Sequence, residues 1–344
     1  MMRWMLGAVM SLWFFCPAFA GNLDAAAVND AARPEKPPAT DKISASVIKL
    51  QILLDRAQFS PGEIDGKFGE NTQKALKAFA EQNGIASDRG IAPELWDKLS
   101  AGSEGPAVVN YEITDADVKG PFLKKLPAKL DDMKSLKALS YTSPREGLAE
   151  KFHVSEELLK ALNPGKAFDE AGATIVVANV PLRRELPGIA RIEVDKTNAT
   201  VKAFDATGRL IALYPATIGS PDRPTPTGTL KVTGTNAHPT YHYNPAYKFK
   251  GVRSKRPFDI KPGPNNPVGS YWISLSAQGY GIHGTAEPGR ISKSASHGCI
   301  RLTNWDARAL GENVKRGTPV VFLDAPTGSS TKQQGKTTGK RAAN

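Results

Sequence analysis

From Arg191 onward the chain alternates apolar and polar residues. The run "RIEVDKTNATVKAFDATGRLIALYPATIG" (191–219) does so around turn signals at "KTNA" and "DATG". "TPTGTLKVTG" and "GSYWISL" continue the period-two pattern, and "TPVVFLD" closes it. Gly and Pro punctuate the whole stretch. This predicts a mainly β domain over 188–324, with one short helix in "NWDARALGENV", where Trp305, Ala309 and Leu310 share a face and Asn304 is a candidate cap. Residues 44–100 follow the helical period instead. Val47, Leu50 and Leu54 fall at i, i+3, i+7, and Thr72, Leu76, Phe79 and Ala80 form a second stripe that stops at Gly84. Pro93 suits the first turn of a third helix carrying Trp96 and Leu99. The segment is expected to be a small all-α module. Residues 140–181 read as a second, weaker unit. Residues 21–43, rich in Ala, Pro, Asn, Asp and Lys, read as an extended linker without a core, and 325–344 as a disordered basic tail.

The first twenty residues change the picture. Arg3, the apolar run "WMLGAVMSLWFF" and the small residues "AFA" before Gly21 have the layout of a secretory signal peptide. The apolar run is shorter than the roughly 20 residues a membrane span needs. The chain is therefore expected to be exported to the periplasm or cell envelope, with no membrane span after cleavage. Its formal net charge of +11 favours polyanionic partners. Outside the cytoplasm those are envelope polymers and lipid surfaces, not nucleic acid. The chain holds two cysteines. Cleavage would remove Cys16 and leave Cys299 as the single thiol, unable to form an internal disulfide. In an oxidising compartment a lone thiol is a liability unless it is used or buried.

Cys299 lies in "ASHGCIRL" (295–302), and a second histidine motif, "HGT", stands at 283–285. A free thiol is mostly protonated at neutral pH, so a nucleophilic cysteine needs a base. Imidazole is the natural one. His297, two residues before Cys299, shares its face in an extended segment, but chain geometry restricts how its ring meets the sulfur. His283 comes from another segment and is the preferred base. An oxygen such as the Gly284 carbonyl would fix its tautomer, and backbone N–H groups of Gly298 and Cys299 are candidates for an oxyanion site. Gly284 and Gly298 permit close backbone approach. Arg301 is a candidate for gripping a substrate carboxylate. A zinc site on His283, His297 and Cys299 is the competing reading of the same residues. Neither motif itself contains an acid/base carboxylate, and neither metal nor cofactor is expected.

At these residues the chain resembles a known family. "IHGTAEPGRISKSASHGCIRL" (282–302) matches the signature of the L,D-transpeptidase catalytic domain, as do "RPTPTGTLKV" (223–232), "GPNNPVGSYWISLSAQGYGIHGT" (263–285) and "NWDARAL" (304–310). The resemblance implies Cys299 as nucleophile and His283 as base, with Ser296, His297, Gly298 and Arg301 shaping the site. It implies attack on the third residue of a peptidoglycan tetrapeptide stem, release of D-alanine, and transfer to an amine on a second stem or on an envelope protein. A carboxypeptidase using water as acceptor, and a non-enzymatic wall-binding protein, are the alternatives. "EIDGKFGENTQKALKAF" between helices resembles the peptidoglycan-binding module of cell-wall enzymes. "YTSPREGLAEKFHVSEELLKALNPG" with "AGATIVVANVP" resembles a lysin motif, although "SPREG" replaces its usual Gly-Asp turn.

Overall fold

A computed structural model describes residues 23–86, 91–219, 225–247, 251–293 and 298–323. The expected signal peptide (1–20) and basic tail (325–344) lie outside the described residues.

The segment 21–43 is not a bare linker. It carries α1 (Ala25–Asn29), whose Val28 is fully buried in a hydrophobic core. The Asn29 side chain exchanges hydrogen bonds with the Val108 backbone in both directions, at 2.9 and 3.1 Å. One apolar side chain and one amide thus anchor a stretch whose composition looks like spacer.

The helical module comprises α2 (Ala45–Arg56), α3 (Glu70–Gln82) and α4 (Pro93–Ala101). Val47, Leu50 and Leu54 face α3 and α4, as their spacing predicts. Ile48 and Ile52 of the same helix enter a second core with the lysin-motif-like unit. An amphipathic helix has one buried stripe; α2 has two, because a neighbouring unit covers its other side.

That neighbour is built from β1 (Val108–Glu112), α5 (Asp115–Val118), α7 (Pro144–Lys151), α8 (Glu156–Leu162) and β2 (Thr174–Ala178), while α6 (Leu130–Met133) packs in a separate cluster with Ile260 of the β domain. β1 pairs antiparallel with β2 across five residue pairs. The expected unit at 140–181 therefore lacks its first strand, which stands upstream of an intervening segment, 113–143. That segment crosses to the β domain. Leu139 donates to the Pro262 carbonyl at 3.0 Å, and Asp131 accepts from the backbone N–H groups of Arg253 and Ser254.

The β domain has β3 (Arg191–Asp195), β4 (Thr200–Phe204), β5 (Leu210–Pro215), β6 (Thr217–Ile218), β7 (Gly228–Ala237), β8 (Tyr241–Tyr243), β9 (Phe258–Ile260), β10 (Tyr271–Leu275), β11 (Gly281–His283), β12 (Ile300–Arg301) and β13 (Pro319–Leu323). Among the described residues nine of these form one sheet, in the order β5-β4-β3-β13-β7-β10-β11-β12-β6, and β8-β9 form a separate hairpin. α9 (Asn304–Asn313) packs on the sheet through Ala307 and Leu310, with Thr303 rather than Asn304 as its N-cap. The edge strand β5 is not left open. Ser60 donates its N–H to the Leu213 carbonyl, Leu213 donates to the Gln58 carbonyl, and the Leu213 side chain belongs to the core of the helical module.

The units meet at a buried charge cluster. Asp55 of α2, His153 after α7, Arg184 of the connector and Asp306 of α9 are each at most 5% exposed. Arg184 pairs with Asp55, His153 Nδ1 stands 3.3 Å from Asp55 Oδ2, and Ser60 donates to Asp306 Oδ2 at 2.8 Å. The His153 ring stacks on Trp305 with centroids 5.0 Å apart. Burial pushes the Asp55 carboxyl up, but Arg184 and His153 outweigh it and hold it at about 2. Asp306 shows the opposite balance: burial wins over the Arg184 charge and raises it to about 7.

Arg184→Met leaves Asp55 as an uncompensated buried charge and should cost about 3–5 kcal/mol in urea unfolding, whereas the double change with Asp55→Leu should recover much of it. A loss under about 1 kcal/mol for the single variant would show that the cluster does not hold the units together.

Candidate active site

The site is built on two short neighbouring strands. β11 and β12 run parallel, with Ile282 opposite Ile300 and His283 opposite Arg301. Successive side chains on a strand point to opposite faces. Ile282 and Ile300 are fully buried in the core under α9. His283 and Arg301 accordingly share the other face. Cys299 precedes β12 two residues before Arg301 and joins them. Trp272, opposite His283 on β10, stacks on the imidazole with ring centroids 5.4 Å apart and planes 16° apart. A side chain at Gly281 would overlap the indole, so the glycine makes room for that stack.

Gly284 and Gly298 are buried, and Gly298 adopts a left-handed φ of 102° that other residues avoid. Arg301 is half-buried beside the thiol, and among the described residues no carboxylate forms an ion pair with it. Ser296 and His297 lie outside the described residues, which takes one of the three ligands of the zinc alternative with them. Trp272 was not singled out in the sequence. Its signal is the alternation of "YWISL", which puts it on the face opposite Tyr271 and Ile273.

The His283 ring hydrogen-bonds through Nδ1 to the Gly284 carbonyl at 2.7 Å. A carbonyl oxygen only accepts, so Nδ1 carries the proton and Nε2 keeps its lone pair. Burial pushes the imidazole down and the Arg301 charge pushes the same way. The Gly284 carbonyl pulls it partly back, and the balance lies at about 3. Burial also pushes the Cys299 thiol up, against weaker downward pulls from the Gly281 backbone and Arg301. The thiol is partly exposed, with Sγ 3.7 Å from the Gly279 carbonyl. Both groups are therefore neutral at neutral pH. Such a site holds a neutral thiol and a neutral imidazole, not a preformed thiolate–imidazolium pair.

The helical module reaches the loop before Cys299. Asn71 Nδ2 donates to the Ile291 carbonyl at 3.2 Å, and Glu63 packs against Gly289. From the sheet side, Ser292 donates to Thr217 Oγ1 and to the Ala216 carbonyl.

The family model of an L,D-transpeptidase catalytic domain matches residues 189–322, and that of a peptidoglycan binding domain matches 44–99. A protein of Bacillus licheniformis assigned as an L,D-transpeptidase, YkuD, is 30% identical over 177 residues, which are 51% of this chain and 90% of that protein. The Escherichia coli K12 protein named Probable L,D-transpeptidase YbiS is 31% identical over 203 residues, 56% of this chain and 64% of that one. Among solved structures, an L,D-transpeptidase from Xylanimonas cellulosilytica covers 85% of this chain and 98% of that chain, at 16% identity and a TM-score of 0.35. The chain belongs to the L,D-transpeptidase family, with a helical peptidoglycan-binding domain ahead of a mainly β catalytic domain.

Alkylation of Cys299 by iodoacetamide, followed on its own peptide by mass spectrometry, should rise through one transition above the ordinary thiol value of about 8.5. Arg301→Gln removes a charge that favours the thiolate and should move that transition further up. A reactive plateau already present at about pH 5–6 would contradict a neutral pair.

Proposed function

We propose that this chain is an exported peptidoglycan L,D-transpeptidase in which Cys299 is the nucleophile and His283 its base. The observation that carries the reading is the Nδ1 hydrogen bond of His283 to the Gly284 carbonyl, on the sheet face shared with Arg301 and Cys299. It leaves Nε2 as the proton acceptor. The thiol proton passes to Nε2 as sulfur bonds to the carbonyl carbon of the third residue of a tetrapeptide stem. Collapse of the tetrahedral adduct breaks the amide bond, and the imidazolium returns the proton to the departing D-alanine amine. The thioester then acylates an amine: nitrogen bonds to carbon, sulfur leaves, and the amine proton returns through His283 to the thiol. Backbone N–H groups of Gly298 and Cys299 are the oxyanion donors in this scheme.

Arg301, half-buried and ion-paired with no carboxylate among the described residues, suits the carboxylate of the donor stem. The peptidoglycan-binding domain keeps the enzyme on its polymer, and the leader-like segment 1–20 supports delivery to the envelope. Among the described residues no helix is long and apolar enough to cross a membrane.

The test is incubation of the full chain with tetrapeptide muropeptides and identification of the products by mass spectrometry. Cross-linked dimers with loss of D-alanine are expected. Tripeptides alone would assign water as the acceptor, and attachment to an added envelope protein would assign an amine on a protein. Cys299→Ala should abolish all products, and His283→Ala should slow acylation by about 10²–10⁴-fold. Cross-linking by Cys299→Ala would overturn the mechanism.

A further inference from the structure

The hydrogen bond that fixes His283 ends on a peptide carbonyl, and a carbonyl is only as well placed as the turn that carries it. The Gly284 turn rests on Asn304. The Asn304 side chain is 2% exposed. A Cβ on either Gly269 or Gly284 would collide with its amide oxygen, so both backbones close directly on that oxygen. Gly269 itself has a φ of +64°. The same oxygen accepts the Ser270 N–H at 2.9 Å. Gly284 in turn donates its N–H to the Tyr271 carbonyl at 3.1 Å. The amide oxygen is thus a wedge between two turns, one of which presents the acceptor for His283 Nδ1.

The other end of the amide is held both from within the catalytic domain and from outside it. Asn304 Nδ2 donates to Glu150 Oε2 at 2.9 Å and to the Pro264 carbonyl at 3.1 Å. Glu150 belongs to α7 of the lysin-motif-like unit, and its second oxygen accepts from the Tyr141 hydroxyl at 2.8 Å. These two acceptors, with the Ser270 N–H donating to the amide oxygen, fix which way the Asn304 amide faces, since a flipped amide would set its NH₂ against the Ser270 N–H.

We infer that Asn304 is a positioning residue for the transfer reaction, holding the Gly284 carbonyl that orients His283, and that Glu150 locks the Asn304 amide from the lysin-motif-like unit. This rests on the reading of His283 as base. On this view that unit serves as a buttress of the catalytic centre, and the catalytic domain is incomplete without it. Chemistry closes on Cys299 and His283, while Asn304 and Glu150 touch neither substrate nor reacting atoms.

The test uses the full chain and release of D-alanine from a soluble tetrapeptide stem, with ring ¹⁵N shifts of His283 as a second readout. Asn304→Ala should lower kcat about 100-fold and leave KM within about twofold, because a misplaced base costs rate and not donor binding. The ¹⁵N shifts should change from the Nδ1–H tautomer to a mixture. Glu150→Leu should lower kcat about tenfold, and Glu150→Gln, whose amide can accept from Asn304 and donate to the tyrosine oxygen, should restore it to within about twofold. If Asn304→Ala fails to fold, the two Glu150 variants carry the test. Wild-type kcat and an unchanged Nδ1–H tautomer in Asn304→Ala, or in Glu150→Leu, would overturn the inference. His283→Gln is run alongside. If it is inactive while Asn304→Ala is fully active, only the positioning role fails. If it is as active as the wild type, the base assignment fails and the inference falls with it.

Discussion

The two-residue parallel ladder between β11 and β12 is the constraint from which the candidate site follows. Ile282 and Ile300 fill the core under α9, and this fixes the register of both strands. A slip of one residue would send His283 and Arg301 into that core and the isoleucines to the surface. The burial of two side chains therefore decides which face carries the imidazole, the guanidinium and the thiol. The same arrangement controls their charge. Behind the sheet there is apolar core, beside His283 lies the Trp272 ring, and burial keeps both imidazole and thiol neutral. A neutral pair suits a reaction in which the proton moves as the carbon–sulfur bond forms.

Around this ladder the N-terminal units act as structure. A peptidoglycan-binding domain on a flexible tether would share no core with the enzyme. Here Leu213 of the β domain packs in the helical core, and Phe59 and Ser60 extend the edge of its sheet. Buried charges reinforce the junction. Arg184 pairs with Asp55, while Asp306 meets Ser60 and is held near neutrality in its pKa. Burying charges carries a desolvation cost even when they are paired, so the cluster contributes more to a defined arrangement of units than to raw stability. The segment 113–143 adds a further link, running from the lysin-motif-like unit to the region of the β8–β9 hairpin. Polymer binding and catalysis are thereby held in one relation.

Much of this was legible in the chain. The alternation after Arg191 shows the strands, and Val47, Leu50 and Leu54 show the face of α2. The motifs at 283–285 and 295–302 point to the cysteine and histidine. What stayed hidden depends on distant pairings. β1 is separated from its unit by a long segment that also reaches the β domain, so local pattern could not join it to β2. Val28 and Asn29 tie down a stretch of spacer-like composition through residues about eighty positions away. Asn304 reads as a helix cap because Asn is common there, yet Thr303 caps α9 and the Asn304 amide faces the turns at Gly269 and Gly284. Neither histidine motif itself holds an acidic residue that would suggest what orients His283. The structure answers with a backbone carbonyl, 2.7 Å from the ring, which has no signature in sequence.

The most direct measurement of the central claim is the mass of the enzyme trapped during turnover. Full-length protein quenched in acid after mixing with a tetrapeptide stem should carry a tripeptide acyl group, and digestion should place it on the peptide containing Cys299 as a hydroxylamine-labile thioester. Release of D-alanine without that adduct, or an adduct on another residue, would contradict the account.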